Sequence, residues 1–372
     1  MNRVSWVKVG TFVVLVHALA YCGQGVLKSP LQSGWDPTAT AEASPLARFD
    51  AGWYRSIAAG GYFWDPSTGV GNLAFFPFYP FLMKVLAFTG LPLFWAGTLL
   101  SHAFFVISVV LLQRLEARRP GPAPAHTSLL ALLTFPWAFF LLAPYTESLF
   151  LALALATFLA ARRGRWGLVA FLGFLAGLTR LFGLALVPPL LILAWRASAQ
   201  PVRTHEGTRL GAVLAALTPA IGFGTFVTWL AFRFRDPLVF VHALQRGWGR
   251  RPGWSGLLSS LYAIVENIRQ RGWFHVGPAV DLLVVLLLVA SVVHALRSGR
   301  RTSASYVGSG VTLIAVSGSL LSSGRYALVL FPVFGFLALL ARRPVVWYSY
   351  LLLSSTLQAY LVVRFANNLW VA

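Results

Sequence analysis

Residues 278–296 read PAVDLLVVLLLVASVVHAL, an apolar run with one acid, Asp281, near its start. A helix crosses a bilayer with about 17 to 25 mostly apolar residues, so this run is long enough to span one. Runs of the same kind recur along the chain, near 7–24, 92–113, 127–143, 147–161, 166–181, 183–196, 210–232, 304–322, 326–341 and 345–363. We therefore predict an all-α polytopic membrane protein with about eleven transmembrane helices.

The composition agrees with this fold class. Hydrophobic residues make up 58% of the chain, charged residues 11%, and the mean hydropathy is +0.72. The net charge of +20 would suggest nucleic-acid binding in a soluble protein. In a membrane protein, cationic loops instead orient the spans and contact anionic lipid headgroups, so we expect membrane lipids and not nucleic acid as partners. We expect one transmembrane domain over 1–372.

Arginine clusters orient the predicted spans. Segment 74–90 is apolar but interrupted by Pro77, Pro80 and Lys84, which favours an interfacial or re-entrant helix in a long outer loop, 25–90. The first span, near 7–24, is expected to be kept and not cleaved as a signal peptide. With this topology the basic connections face inside, as the positive-inside rule requires: 114–119, 162–165, 196–209, 297–301 and 342–343.

A second outer loop, 233–277, departs from that rule. It holds seven arginines, among them Arg246 and Arg250, on the predicted outer side. Either a long loop binds headgroups here, or an anionic substrate binds on the outer face. Segments 237–248 and 256–268 within it are amphipathic and suited to the interface.

Asp50 is the candidate catalytic residue, in a chain with only 10 acids. It lies in the first outer loop beside Trp53 and Tyr54, side chains that favour the membrane–water boundary and that we take as substrate-binding. A carboxylate there can act as general base toward a hydroxyl. The alternative is a helix N-cap, since Ala-Gly-Trp-Tyr follows it.

Glu147 is a second candidate acid. It follows Pro144-Tyr145-Thr146 and precedes an apolar run, so Thr146 would cap the new helix and Glu147 would favour its positive end. The alternative is a substrate-binding role, because this junction faces the predicted outer side.

Five arginines are candidates for phosphate binding. Arg180 and Arg325 lie at outer junctions between spans, and Arg246, Arg250 and Arg251 lie in the second outer loop. Arginine binds phosphate oxygens bidentately and keeps its charge. The alternative for each is snorkelling to headgroups. Tyr326, next to Arg325, and His242 are added as substrate-binding candidates, although a lone histidine is more often structural.

The sequence predicts neither a metal site nor a cofactor. No grouping of His, Cys and acids has metal-ligand spacing, and no glycine-rich phosphate loop is present. A soluble nucleotide donor is therefore poorly supported.

Several segments, in order along the chain, resemble PIG-V-type GPI mannosyltransferase II relatives. The family's usual form has an Asp between aromatic residues, then Phe-Phe-Pro-Leu-Tyr-Pro, Pro-Tyr-Ser-Glu-Ser-Leu-Phe, Thr-Arg and a late Arg-Tyr. One departure is Gly324, where a proline often precedes the late arginine. The matching segments here are RFDAGWY at 48–54, AFFPFYP at 74–80, PYTESLF at 144–150, Thr179-Arg180, Asp236-Pro237-Leu238 through Gly247-Trp248, Arg325-Tyr326 and Phe331-Pro332.

The resemblance implies a GT-C glycosyltransferase fold, with interfacial helices and the catalytic acid in the first outer loop. It implies a polyprenyl-phosphate sugar donor, typically mannose, and inversion at the sugar. Asp50 would take the proton of the acceptor hydroxyl, while Arg180, Arg325 and Arg246 would stabilise the leaving lipid phosphate. The acceptor would be a lipid, glycan or protein on the outer face of a bacterial plasma membrane.

A lipid or small-molecule transporter or flippase is the alternative from another class. It would explain the spans and the outward cations. Transporters, however, carry charges deep within spans and often have repeated halves. Here the charges lie at span ends and no internal repeat is visible.

Overall fold

The computed structural model describes residues 3–27, 44–117, 125–198, 208–271 and 277–371. Parts of both predicted outer loops, 28–43 and 272–276, lie outside the described residues. The described residues are predominantly helical, which confirms the all-α prediction. Its helices are α1 Arg3–Gly23, α2 Asp50–Gly60, α3 Phe78–Ala87, α4 Leu93–Glu116, α5 Ala125–Leu133, α6 Glu147–Ala161, α7 Trp166–Gly177, α8 Val187–Ser198, α9 Arg209–Phe234, α10 Val239–Trp248, α11 Trp254–Arg271, α12 Gly277–Arg297, α13 Arg301–Val316, α14 Ser323–Val329, α15 Pro332–Leu337 and α16 Pro344–Ala366.

Three 3₁₀ segments and one small hairpin complete the described elements. The 3₁₀ segments are Ala138–Leu141, Leu181–Leu186 and Ala338–Arg342. The hairpin pairs β1, Trp64–Asp65, with β2, Val70–Gly71, in antiparallel register.

Five helices within the described ranges are long and apolar enough to cross a membrane. A sixth is added if the broken pair Ser323–Val329 and Pro332–Arg342 counts as one span. Helix α3 has 10 residues, about 15 Å at 1.5 Å per residue, roughly half the hydrocarbon thickness. The five spans are Trp6–Gly23, Leu93–Glu116, Arg209–Phe234, Ala279–Arg297 and Pro344–Ala366.

The chain divides into two compact units. The first unit comprises Met1–Gly60, Tyr79–Ala152 and Phe331–Ala372. In it, α1 packs against α16 and α5, and α4 also packs against α5. The Asn367 amide closes the end of α1, since its Nδ2 donates to the Gly23 carbonyl at 2.7 Å.

The second unit comprises Gly61–Phe78 and Leu153–Leu330. Its closest helix pair is α7 and α9, where glycines allow the backbones to touch. A Cβ on Gly177 would lie 2.1 Å from the Pro219 carbonyl oxygen, and one on Gly222 would lie 2.2 Å from that of Phe174. Small residues of this kind stabilise helix pairs in membranes, where close van der Waals packing replaces hydrophobic burial.

An aromatic core in the second unit anchors the residues that follow the β-hairpin. Phe76 packs 4.9 Å from Phe226 of α9 and 6.0 Å from Phe240 of α10, measured between ring centroids. Each aromatic side chain buries about 150 to 250 Å². This core fixes 72–78 and α10 against α9.

Candidate functional site

The candidate residues fall into two groups, one in each unit. Asp50, Trp53, Tyr54 and Glu147 belong to the first unit, whereas Arg180, His242, Arg246, Arg325 and Tyr326 belong to the second.

Asp50 is buried, with 8% of its surface exposed, and is the first residue of α2. The preceding residue, Phe49, has a positive φ of 51°. That conformation is uncommon outside glycine and costs about 1 to 3 kcal/mol. The Phe49 ring is held by Phe365 and Trp370, at centroid distances of 5.4 and 5.0 Å. Aromatic packing therefore maintains the turn that brings Asp50 to the start of the helix.

Tyr145 joins the backbone on both sides of that turn. Its hydroxyl accepts the Asp50 N–H at 3.1 Å and donates to the Arg48 carbonyl at 2.8 Å. Tyr145 is fully buried, so each of these bonds would be costly to leave unmade. The structure thus brings together the segments around Asp50 and Glu147. Tyr145 is absent from the predicted site, because its sequence position suggested only a residue preceding a helix cap.

Glu147 is fully buried and begins α6. Thr146 is the N-cap, since its carbonyl accepts the Phe150 N–H at 2.9 Å, the first bond of the helix. Thr146 therefore occupies the predicted N-cap position, and Glu147 lies at the positive helix end, where a carboxylate is favoured. Complete burial of an acid is expensive, which is also the pattern of a functional residue.

Tyr54 and Trp53 lie on α2 in different environments. Tyr54 is buried between Tyr79 and Tyr145, with ring centroids 5.3 and 6.3 Å away. Its hydroxyl lies 3.3 Å from the Thr146 side-chain oxygen, a second link between the two segments. Trp53 is partly exposed.

In the second unit, Arg180 and Tyr326 meet. The Arg180 guanidinium carbon lies 5.8 Å from the centroid of the Tyr326 ring, within cation–π range. Phe182 stacks on the same ring at 4.7 Å. Arg180 and Arg325 are both buried, with 8% and 5% of their surfaces exposed. Such burial contrasts with the snorkelling alternative, in which the charged head stays in water.

Arg250 and Asp281 complete this cluster. Arg250 is one of the predicted phosphate-binding arginines of the second outer loop, whereas Asp281 is not among the predicted site residues. Arg250 donates to the Tyr326 hydroxyl at 2.8 Å and to the Ser317 hydroxyl at 3.2 Å. Buried Asp281 accepts the Gly324 N–H at 3.3 Å, at the start of α14. The available signal for Asp281 was its place inside a predicted span, where an ionisable residue indicates function by default. We call Arg180, Arg250, Arg325, Tyr326 and Asp281 the arginine–tyrosine cluster.

His242 and Arg246 lie on α10 and have partners outside this cluster. The His242 Nδ1–H donates to Asp236 at 2.7 Å, and this bond lowers the pKa of the Asp236 carboxyl. Arg246 donates to the Pro66 carbonyl at 3.1 Å, in the turn of the β-hairpin. Of the arginines in the predicted second outer loop, Arg250 therefore binds Tyr326 and Arg246 supports the hairpin.

Among the residues that the structure describes, no three His, Cys, Asp or Glu side chains group together as metal ligands. Comparison of the chain with known protein families, with curated proteins and with solved structures gives no match.

Proposed function

We propose that this chain is a membrane glycosyltransferase of GT-C type. It transfers a sugar, with mannose as the proposed sugar, from a polyprenyl-phosphate donor to a lipid, glycan or protein acceptor on the outer face of a bacterial plasma membrane. The proposal includes about eleven spans. The shorter apolar helices, among them Glu147–Ala161, Trp166–Gly177 and Leu181–Ala197, would supply crossings beyond the long ones.

One observation carries the proposal. Asp50, in a segment resembling the catalytic loop of PIG-V-type enzymes, is buried at a strained helix start, and its N–H is held by Tyr145 from the second resembling segment. Strained backbone and buried carboxylates persist where function requires them.

In the proposed reaction, Asp50 accepts the proton of the acceptor hydroxyl. The hydroxyl oxygen forms a bond to the anomeric carbon as the bond from that carbon to the donor phosphate breaks, with inversion. The phosphate leaves with the bonding electron pair, and Arg180 and Arg325 stabilise its developing charge. Arg250 orients Tyr326 beside them, and no nucleotide or cofactor is required.

The proposal also predicts which loops face the outside of the membrane, and cysteine labelling can test this orientation. In a Cys22→Ser background, cysteines at Ser67 and Ser298 would report on the predicted outer and inner sides; both positions are exposed. We expect a membrane-impermeant maleimide to label Ser67→Cys in intact cells and Ser298→Cys only after permeabilisation. The reverse pattern would contradict the outward-facing site.

The test of the enzyme class is transfer from a labelled polyprenyl-phosphate sugar by the purified chain in vesicles. Mannose and glucose donors are compared, and vesicles without protein are the control. Time-dependent labelling of an added membrane extract supports the proposal. Movement of the intact donor between leaflets, without labelled product, would indicate the transporter alternative instead.

A further inference from the structure

We propose that His17 and His102 form a binding site for a transition-metal ion of the kind that imidazole prefers, zinc or copper. His17 lies on α1 and His102 on α4, both in the first unit. Their ring centroids are 5.2 Å apart and the rings are inclined by 46°. Because these residues lie in different helices, sequence spacing alone does not reveal the pair.

The hydrogen bonds of both rings leave the same nitrogen available. His17 Nδ1 lies 2.9 Å from the Val13 carbonyl oxygen, and His102 Nδ1 lies 2.8 Å from that of Thr98. A carbonyl only accepts, so each Nδ1 carries the proton and each Nε2 has a lone pair. Within the described residues neither Nε2 has a hydrogen-bond partner.

This arrangement is the one that metal-binding histidines adopt. A ligating imidazole usually donates its other N–H to a carbonyl or carboxylate, which fixes the tautomer and the ring. Here each Nδ1–H donates to the carbonyl of the residue four positions earlier, which is Val13 for His17 and Thr98 for His102. Both side chains therefore have the tautomer in which Nε2 can bind a metal ion.

The ring separation also suits a shared ion. With metal–nitrogen bonds of about 2.0 to 2.1 Å and tetrahedral angles, two imidazole centroids lie about 5 Å apart. The observed 5.2 Å matches this value.

The pair borders a cavity of about 510 Å³ that is wide open at the surface and has room for further ligands. Leu91, Trp95, Thr98 and Leu99 line it beside the two histidines. No acid is among these lining residues, so water or an added ligand would complete the coordination. Imidazole with neutral co-ligands suits zinc and copper better than magnesium or calcium, which prefer carboxylate oxygens.

The experiment is a Cu²⁺ titration of the purified full chain, followed by electron paramagnetic resonance. We expect one ion with two nitrogen ligands. His17→Gln and His102→Gln should each weaken binding by at least about 10-fold. The matched control is His126→Gln, an exposed histidine of the same unit outside the cavity, which should bind like the wild type. Equal Cu²⁺ binding by the His17→Gln/His102→Gln double variant would overturn the proposal.

A second measurement uses the wild-type protein, so that the test does not depend on whether the variants fold. Diethylpyrocarbonate modifies free imidazole, so Zn²⁺ should protect His17 and His102 together and leave His126 reactive, as measured by peptide mass spectrometry. Modification of both histidines at the same rate with and without Zn²⁺ would contradict the site, whatever the transferase assay gives.

Discussion

Asp50 and Asp65 are two aspartates of the same predicted outer loop, yet their surroundings differ completely. Asp65 is partly exposed, and its oxygens accept bonds from the Ser67 N–H at 2.9 Å and from the Ser67 and Thr68 hydroxyls at 2.6 and 2.9 Å. These bonds, with that of the Ser67 side chain foremost, lower the pKa of Asp65 to about 2. Asp50 is buried, and its backbone is held by a tyrosine distant in sequence.

The comparison shows that position in the loop does not make an acid a catalyst. Asp65 is held as an anion by its own turn, and a carboxylate with so low a pKa is a weak proton acceptor. Its role is to close the turn of the β-hairpin. Asp50 is held instead by residues distant in sequence, since its N–H donates to Tyr145 and the ring of the preceding Phe49 packs against Phe365.

The largest expected effect separates these two aspartates directly. Asp50→Asn removes the proposed base and should lower sugar transfer by about 100-fold or more. Asp65→Asn should stay within about 3-fold of the wild type, because it alters a turn and not the chemistry. Initial rates in vesicles with equal amounts of inserted protein check both. Equal losses of sugar transfer in the two variants would contradict the assignment of Asp50, and not Asp65, as the catalytic base.

The next effect concerns the arginine–tyrosine cluster. Arg180→Gln and Arg325→Gln should each reduce turnover by about 100-fold, since each removes a charge that stabilises the leaving phosphate. The control is Arg233→Gln, an exposed arginine at the end of α9. Steady-state kinetics and thermal unfolding are measured together. A Tm loss in the Arg180 or Arg325 variant without a specific turnover loss would indicate a structural role.

Tyr145→Phe should have an intermediate effect that tests how Asp50 is held. The change leaves the Asp50 N–H and the Arg48 carbonyl without their shared partner, so unfolding free energy should fall by about 1 to 3 kcal/mol. Displacing Asp50 should also slow transfer by about 10-fold.

The matched control is Tyr79→Phe in the same unit, also fully buried, whose hydroxyl donates to the Gly97 carbonyl at 2.8 Å. It should lose similar stability, measured by denaturant unfolding, and keep near-normal transfer per folded molecule. If the two variants lose transfer equally, Tyr145 has no special relation to Asp50.

The smallest effect is the pH dependence of the hairpin turn. The folded pKa of Asp65, about 2, lies below the unfolded value of about 3.9. The contribution of Asp65 to stability is therefore fully present above about pH 4 and is lost as the pH falls toward about 2. As the pH is lowered between these values, the Tm of Asp65→Asn should fall slightly less than the Tm of the wild type. Superimposable pH curves would show that the turn contributes nothing measurable.

Much of the helical framework is predictable from hydrophobic periodicity. The predicted segment 147–161 has the same bounds as α6, and the amphipathic segments 237–248 and 256–268 correspond to α10 and α11. Two predicted spans are broken in the structure. Segment 127–143 ends as an α-helix at Leu133, before Pro136, and segment 326–341 breaks before Pro332. The residue before a proline disfavours the helical conformation, which accounts for both breaks.

The site was predictable only in part. Charged residues singled out Asp50 between aromatic residues in the first predicted outer loop, and Glu147, Arg180 and Arg325 at predicted span ends, because charges are rare and costly there. The hydrogen bonds of Tyr145 and Arg250 could not be predicted, since they join segments far apart in the chain and leave no periodic signal. Gly173 and Gly177, which let α7 and α9 approach closely, are four residues apart, the small-xxx-small spacing of packed membrane helices. That spacing could have predicted a close helix contact here, whereas hydrophobicity alone does not.

The most direct test of the central claim measures donor binding and sugar transfer on the same preparation of Asp50→Asn. If Asp50 is the general base, the variant should bind polyprenyl-phosphate mannose within about 3-fold of the wild-type Kd while transfer falls by about 100-fold or more. Transfer at nearly the wild-type rate would contradict the account and leave Asp50 as a structural residue at the start of α2.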